Sequence, residues 1–380
     1  MTTPGSPVLQ VAEPTDSKND SRRPMRRAKF RWLPALAGIV VALGLAEMGL
    51  RLIFSPLVYL PAPDPDNLPI STGSATQYTI RQYREGFAVS HYFADGARET
   101  GNPPISNGVN YLIFGNSFVE ARQVPDKETM GSVLERIERR NGYPINVRQY
   151  GWDGTSTGTY LAMMPVLTAR WHPDKVIVII TPFELTDRPF SGAWNWTVRT
   201  NNGLLEPVKV NSPRPNSNPR TITVKRVGTY ILSHSALAFA VFTRIKEIRA
   251  ARHASDADVP EDANASSKVP LLEIARLTVK SLDAASNHKL ILVYVPEVDA
   301  AGDNRTDKGE RALLDACDEF RVDCVSARSA MLALRRTHDE LARGFENTLI
   351  GTGHLNALGH RLIAQLIAEQ LQSPNRQPPL

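Results

Sequence analysis

The chain has 380 residues, a formal net charge of +5 and 42% hydrophobic residues, which suits one globular domain of about 250–300 residues with accessory segments. Its basic excess is local, because Arg22, Arg23, Arg26, Arg27, Lys29 and Arg31 crowd into one stretch rich in Pro, Ser, Thr and Asp. The only two cysteines, Cys317 and Cys324, form no CxxC pattern and make a poor metal site, so neither a metal nor a cofactor is expected.

Residues 1–31 read as a disordered basic tail. Trp32 to Phe54 is then apolar except for Glu47 and Arg51, about the length needed to cross a bilayer core of roughly 30 Å. A basic arm that abuts such a run excludes a nucleic-acid binder. The pattern reads as a single-pass signal anchor in the inner (cytoplasmic) membrane. Its N-terminus stays in the cytoplasm and the main domain is periplasmic or otherwise extracytoplasmic. The uninterrupted part, Trp32 to Ala46, also fits a cleaved signal peptide, with Gly44-Leu45-Ala46 as the small-residue cleavage site. The long polar stretch before it, and the apolar character resuming through Phe54, favour a retained anchor. Residues 55–105 follow as a tether with accessory strands: Leu57 to Ser74 is rich in Pro and Asp, and Tyr78 to His91 carries strand-forming residues among charges.

From Val109 the pattern becomes regular. A buried strand, Tyr111 to Phe114, runs into Gly115-Asn116-Ser117, and a helical face of Met130, Val133, Leu134 and Ile137 follows. A second strand, Ile145 to Tyr150, leads into Gly151-Trp152-Asp153-Gly154, then a helix carrying Tyr160, Met163, Met164 and Leu167. Lys175 to Thr181 is a β-branched run of the kind buried on both faces. Phe190 to Lys225 interrupts the rhythm with Asn, Pro and Thr, an insertion that is either a lid or a decorating loop. Its Trp194 and Trp196 would stack on sugar rings or simply pin the loop. A helix over Tyr230 to Arg252 and a polar linker, Ala254 to Lys268, come next. The rhythm returns with a helix Pro270 to Ala285, a strand Leu290 to Val295, a helix Lys308 to Phe320 and a short strand Val322 to Val325. Cys317 and Cys324 flank that last turn and would close a small disulfide loop in an oxidising compartment, given Cα atoms within about 7 Å. A terminal helix with Leu358, Leu362, Ile363, Leu366, Ile367 and Leu371 on one face begins at the N-cap Asn356. Strands alternating with helices predict a three-layer α/β/α domain over 106–373 with a central parallel sheet and right-handed crossovers. Residues 374–380 form a tail.

Ser117 stands just past the carboxyl end of a parallel strand, where open α/β sheets place their chemistry. A serine hydroxyl is a weak nucleophile until a base takes its proton, and His354, just before the capped terminal helix, is placed to be that base. The pair Ser117 and His354 resembles the SGNH (GDSL-type) hydrolase family in its membrane-anchored bacterial form. The likeness runs from about Ala94 to Leu371, including the approach Ala94-Asp95-Gly96-Ala97-Arg98-Glu99. It implies an SGNH-hydrolase/flavodoxin-like fold, Ser117 as nucleophile and first oxyanion donor through its N–H, Gly154 as second donor, and His354 as base. It also implies an acyl ester as substrate, either an acylated carbohydrate or a small ester.

Three departures stand beside the resemblance. Asn116 occupies the usual aspartate position of Gly-Asp-Ser. Pro182-Phe183-Glu184-Leu185 stands where the family has Gly-Asn-Asp-Leu, and Phe183 has no polar hydrogen to offer an oxyanion, a loss of on the order of 10²–10³ in rate. Gly351 or Thr352 replaces the aspartate before the histidine, leaving Glu184, Asp153 or Glu346 to orient His354 from elsewhere. His360 reads as a structural residue of the terminal helix. Two functions fit: a membrane-anchored esterase or O-acyltransferase acting on acyl (acetyl) esters of envelope or exopolysaccharide carbohydrate, or a catalytically degenerate protein that binds a glycan or envelope partner.

Overall fold

Runs of β-branched residues without polar interruption set the centre of the fold. Val176 to Ile180 and Leu290 to Tyr294 are buried along their whole lengths, so each needs a strand on either side and cover on both faces. The computed structural model describes residues 32–53, 55, 65–67, 76–82, 85–185, 196–209, 219–256, 269–298, 307–346, 348, 351 and 353–372. Contacts divide the chain into two compact units, Met1–Ala46 and Glu47–Leu380. Helix α1 (Trp32–Ile53) supplies all that is described of the first and the first residues of the second. It is 22 residues long, has no buried residue, and is long and apolar enough to cross a membrane.

In the second unit, β1 (Thr76–Gln82) and β2 (Ala88–Phe93) form an antiparallel hairpin, the accessory strands expected there. The central sheet begins with β3 (Val109–Gly115), followed by the short helix α2 (Ser117–Glu120) and α3 (Met130–Arg140). Then come β4 (Ile145–Gly151), α4 (Thr157–Trp171) and β5 (Lys175–Ile180). A second hairpin, β6 (Trp196–Asn201) and β7 (Leu204–Lys209), precedes helices α5 (Pro219–His234) and α6 (Ala236–Asp256). The chain closes with α7 (Leu271–Ala285), β8 (Leu290–Tyr294), α8 (Lys308–Phe320), β9 (Asp323–Ser326), α9 (Arg328–His338) and α10 (Ala357–Gln372).

The five-stranded sheet has the order β4-β3-β5-β8-β9, and every pairing is parallel. Successive side chains on a strand face opposite ways, and the core divides accordingly. Leu112, Phe114, Val176, Val178 and Leu292 pack towards α4, α7 and α8. Ile113, Ile177, Ile179, Ile291 and Val293 pack towards α3, α9 and α10. This is the three-layer α/β/α arrangement expected from the sequence. The chain leaves β3 for β4 on one side and returns to β5 on the other, so the strand order reverses beside β3. A crevice opens beyond the carboxyl ends at such a point, and Ser117 sits there.

Several elements differ from expectation. The single helix over Tyr230 to Arg252 is two helices, α5 and α6, broken at Ser235, whose hydroxyl accepts from the Ala238 amide at 3.0 Å. Helix α9 was not anticipated. Within the insertion, β6–β7 packs on the α4 and α7 layer, where the Leu205 amide donates to Ser281 Oγ at 2.7 Å. Trp196 is buried beneath Lys209, so it pins the hairpin and has no face for a sugar. Trp194, most of the tether and most of the Ala254–Lys268 linker lie outside the described residues. Cys317 and Cys324 are joined, their Cα atoms 6.2 Å apart, tying the end of α8 to β9. Asn356 Oδ1 accepts from the Gly359 amide at 2.9 Å, the expected cap of α10.

Candidate active site

The turn after β3 is built for close approach. A Cβ on Gly115 would lie 2.4 Å from Val119 Cγ2, so only glycine lets α2 start here. Asn116 caps that helix, its Oδ1 accepting from the Phe118 amide at 2.9 Å. Its Nδ2 donates to Glu184 Oε1 at 2.8 Å and to Thr181 Oγ1 at 3.2 Å. Glu184 is fully buried and also accepts from Tyr160 Oη at 3.0 Å and the Thr181 amide at 2.9 Å. Burial pushes its carboxyl up to about 7, against the pull of those hydrogen bonds. Ser117 is half-buried and lines a cleft of about 220 Å³ with Phe118, Gly154, Phe183, Glu297 and Arg343.

The second loop reaches the same cleft. A Cβ on Gly151 would fall 1.9 Å from the Glu120 amide nitrogen, so the end of β4 touches α2 backbone to backbone. Gly154 follows in a turn with φ +70°, a conformation that suits glycine. Among the described residues, neither the Ser117 amide nor the Gly154 amide is taken up by a protein acceptor. Two unspent N–H groups on the wall of one cleft are what a developing oxyanion needs.

His354 stands on the other side of Phe118, with ring centroids 5.6 Å apart. Its Nδ1 bonds to Glu85 Oε2, a carboxylate from the link between β1 and β2. Gly353, at φ +91°, makes room for this pairing, since a Cβ there would meet Glu85 Oε1 at 2.8 Å. With Nδ1 held by the carboxylate, Nε2 is the nitrogen left for a serine proton. Among the described residues no hydrogen bond joins Ser117 Oγ to His354, a looseness common in serine–base pairs outside the reacting complex. Arg343 places its guanidinium carbon 5.2 Å from the Phe118 ring centroid and donates from Nε to Gly353 O at 2.9 Å. Burial draws its pKa down, and Glu297 and Glu85 oppose this.

The carboxylates expected to orient His354 are employed otherwise. Glu184 holds Asn116, Asp153 lies exposed at the cleft rim, and the exposed Glu346 lines a separate cavity with Phe87 and Phe345. His360 is structural, as expected: its Nδ1 accepts from the Met130 amide at 3.2 Å, and burial pushes it down to about 3. Phe183 lines the cleft where an asparagine donor was missed. Sequence reasoning overlooked Glu85, which no spacing ties to a histidine so far downstream. It also gave Arg98 no role. Arg98 is completely buried and donates to Glu120 O at 2.8 Å, Ala121 O at 2.6 Å, Val124 O at 2.7 Å and Asp126 Oδ1 at 2.8 Å. It thereby fixes the loop that follows Ser117. Among the described residues no group of three or more His, Cys, Asp or Glu is placed to hold a metal ion.

No protein-family model matches the chain, and no curated protein matches it. Solved structures similar to it include an acetyl xylan esterase, AlAXEase, at 12% identity, covering 69% of this chain and 98% of that one with a TM-score of 0.37. The lipase/acylhydrolase from Enterococcus faecalis is 11% identical over 71% of this chain and 100% of its own, with a TM-score of 0.38. A catalytic variant of the acetylxylan esterase Axe2 from Geobacillus stearothermophilus is 12% identical over 73% and 100%, with a TM-score of 0.39. What the chain's own strand order and layers define is a three-layer α/β/α protein built on a five-stranded parallel sheet.

Proposed function

We propose that the chain is a membrane-anchored, SGNH-like esterase or O-acyltransferase working through Ser117 and His354. The observation that carries this reading is the His354–Glu85 pair, packed against Phe118, which lines the cleft together with Ser117. A histidine held through Nδ1 by a carboxylate is the arrangement that activates a serine. In this mechanism His354 Nε2 takes the Ser117 proton as Oγ bonds to the ester carbonyl carbon. The amides of Ser117 and Gly154 receive the oxyanion, and the imidazolium returns the proton to the departing alcohol. Glu85 stabilises the imidazolium between those transfers. Water then releases the acyl group from Ser117 as an acid, or a sugar hydroxyl carries it away as a new ester, with His354 again taking the incoming proton.

A cleft of about 220 Å³ suits a short acyl group such as acetyl. The basic tail before α1, the anchor reading of that helix and the Cys317–Cys324 disulfide support an exported domain. Acylated envelope or exopolysaccharide carbohydrate is the substrate class available there. Labelling of the full chain in detergent with a serine-directed fluorophosphonate tests the reading, with labelling expected for wild type and lost in Ser117→Ala and His354→Ala. Phe183, which lines the cleft without a donor, favours the second reading of a glycan-binding member without turnover. Failure of folded wild type to label would select it.

A further inference from the structure

Glu47 is an acid inside a helix otherwise apolar enough to cross a membrane. In hydrocarbon such a group is costly unless it is paired. Its Oε2 accepts from Ser235 Oγ at 2.8 Å and the Leu237 amide at 2.9 Å, and its Oε1 from the Ala236 amide at 3.0 Å. Glu47 therefore caps the N-terminus of α6, where the helix dipole favours a negative charge. Arg51, one turn further on, donates from Nε to Glu47 at 2.6 Å and from a terminal nitrogen to His234 O at 2.5 Å. The last turns of α1 thus grip the Ser235 break between α5 and α6. This gives the break itself a reason.

Both gripped helices expose apolar stripes. On α5, Val227, Tyr230 and Ile231 are 48–63% exposed, and on α6, Phe242, Ile245 and Ile248 are 45–50% exposed. At 100° per residue each set falls on one face. Beyond Ile245 the sequence of α6 adds Lys246, Arg249 and Arg252. An apolar stretch too short to span, Ala236–Ile245, followed by basic residues is the pattern of an interfacial helix.

We propose that the α5–α6 pair lies in the membrane–water interface with its apolar stripes in the lipid, clamped there by Glu47 and Arg51. This rests on the reading of α1 as a retained anchor. The occupant is the bilayer that α1 crosses, because the clamp sets the start of α6 level with the residues at which α1 leaves that bilayer. The bilayer contact is then a second attachment that fixes how the domain meets its membrane.

The test uses the full chain in vesicles of phosphatidylethanolamine and phosphatidylglycerol with brominated acyl chains. A nitrobenzoxadiazole probe is carried singly by Val40→Cys in α1, Ile231→Cys, Phe242→Cys, or Tyr143→Cys, an isolated apolar residue 58% exposed. Probes at 40, 231 and 242 are expected to lose at least half their emission to bromine, and the probe at 143 to be unaffected. Glu47→Gln is expected to weaken quenching at 242 and leave it intact at 40. Quenching at 40 with none at 231 and 242 would overturn the proposal and leave the anchor standing. A blue shift at 242 without bromine quenching would assign the face to a protein partner and equally overturn it. No quenching at 40 would remove the anchor reading itself.

Discussion

Replacing Glu85 by glutamine isolates what its charge does for His354. The amide oxygen still accepts from Nδ1–H, so ring orientation survives while the negative charge is lost. Two unit charges about 4 Å apart at an effective dielectric constant of about 20 interact by about 4 kcal/mol. Solvent reaches this pair, His354 being 27% and Glu85 14% exposed, which trims the figure to about 2–3 kcal/mol. That charge acts only when His354 becomes an imidazolium, so the expected loss is about 30- to 150-fold in kcat with KM unchanged. The assay is hydrolysis of an aryl acetate by the full chain, with the fluorophosphonate labelling rate measured in parallel and thermal unfolding as the control for folding. Glu85→Asp should recover part of the rate. Activity of Glu85→Gln within twofold of wild type, when Ser117→Ala and His354→Ala are inactive, would refute the electrostatic role given to Glu85.

His360 is pushed down from 6.5 to about 3, so the folded chain binds fewer protons than the unfolded chain between those values. Its contribution is present above pH 6.5 and lost as pH falls through about 3, a loss of about 2 kcal/mol between pH 7 and pH 5. His360→Asn keeps an acceptor for the Met130 amide and should flatten that acid limb in denaturant titrations; an unchanged slope would discount His360. Glu184, raised to about 7, acts in the opposite sense, stabilising below pH 4.5 and losing that as pH rises through 7, so the difference between variant and wild type is what isolates His360. Arg98→Met leaves Val124 O without its donor, while Glu120 O keeps Tyr92 Oη at 3.1 Å and Ala121 O keeps the Val124 amide at 3.3 Å; a buried carbonyl left without a donor costs about 1–3 kcal/mol. A fall in stability of at least about 1 kcal/mol is expected by chemical denaturation, with Arg98→Lys only partly restoring it. Phe183→Asn puts an amide donor on the cleft wall and should raise kcat on acetyl esters at least tenfold; unchanged kcat would show that the wall does not face the oxyanion.

The layers were legible because periodicity reports burial directly. Val176 to Ile180 has no polar residue, so a strand covered on both faces was its natural place, whereas the strand order had no mark in the sequence. Ser117, Gly154 and His354 could be named as candidates because each sits beside a glycine or a helix start that local sequence marks. Glu85 was not, since its partner is set by how the accessory hairpin returns over the sheet, and nothing in the spacing of Glu85 and His354 encodes that return. The Ser235 break was equally hidden. Apolar residues continue across it, and its cause is a carboxylate from α1.

The departures from the family pattern look different once the packing is known. Taken singly, Asn116 in place of aspartate removes a charge beside the nucleophile, and Glu184 lengthens a residue in the third block. Together they form one buried contact: Asn116 Nδ2 donates to Glu184 Oε1, while Asn116 Oδ1 remains free to cap α2. An aspartate at 116 could serve the cap but would set a second carboxylate against a fully buried Glu184, and like charges at that range disfavour each other's ionised form. The asparagine is therefore the side chain that satisfies both neighbours at once. The same logic moves the histidine's carboxylate from the residue before it to Glu85 on another element, which Gly353 admits by having no Cβ. Two substitutions that a motif comparison counts as losses thus have counterparts in the packing, Glu184 for Asn116 and Glu85 for His354.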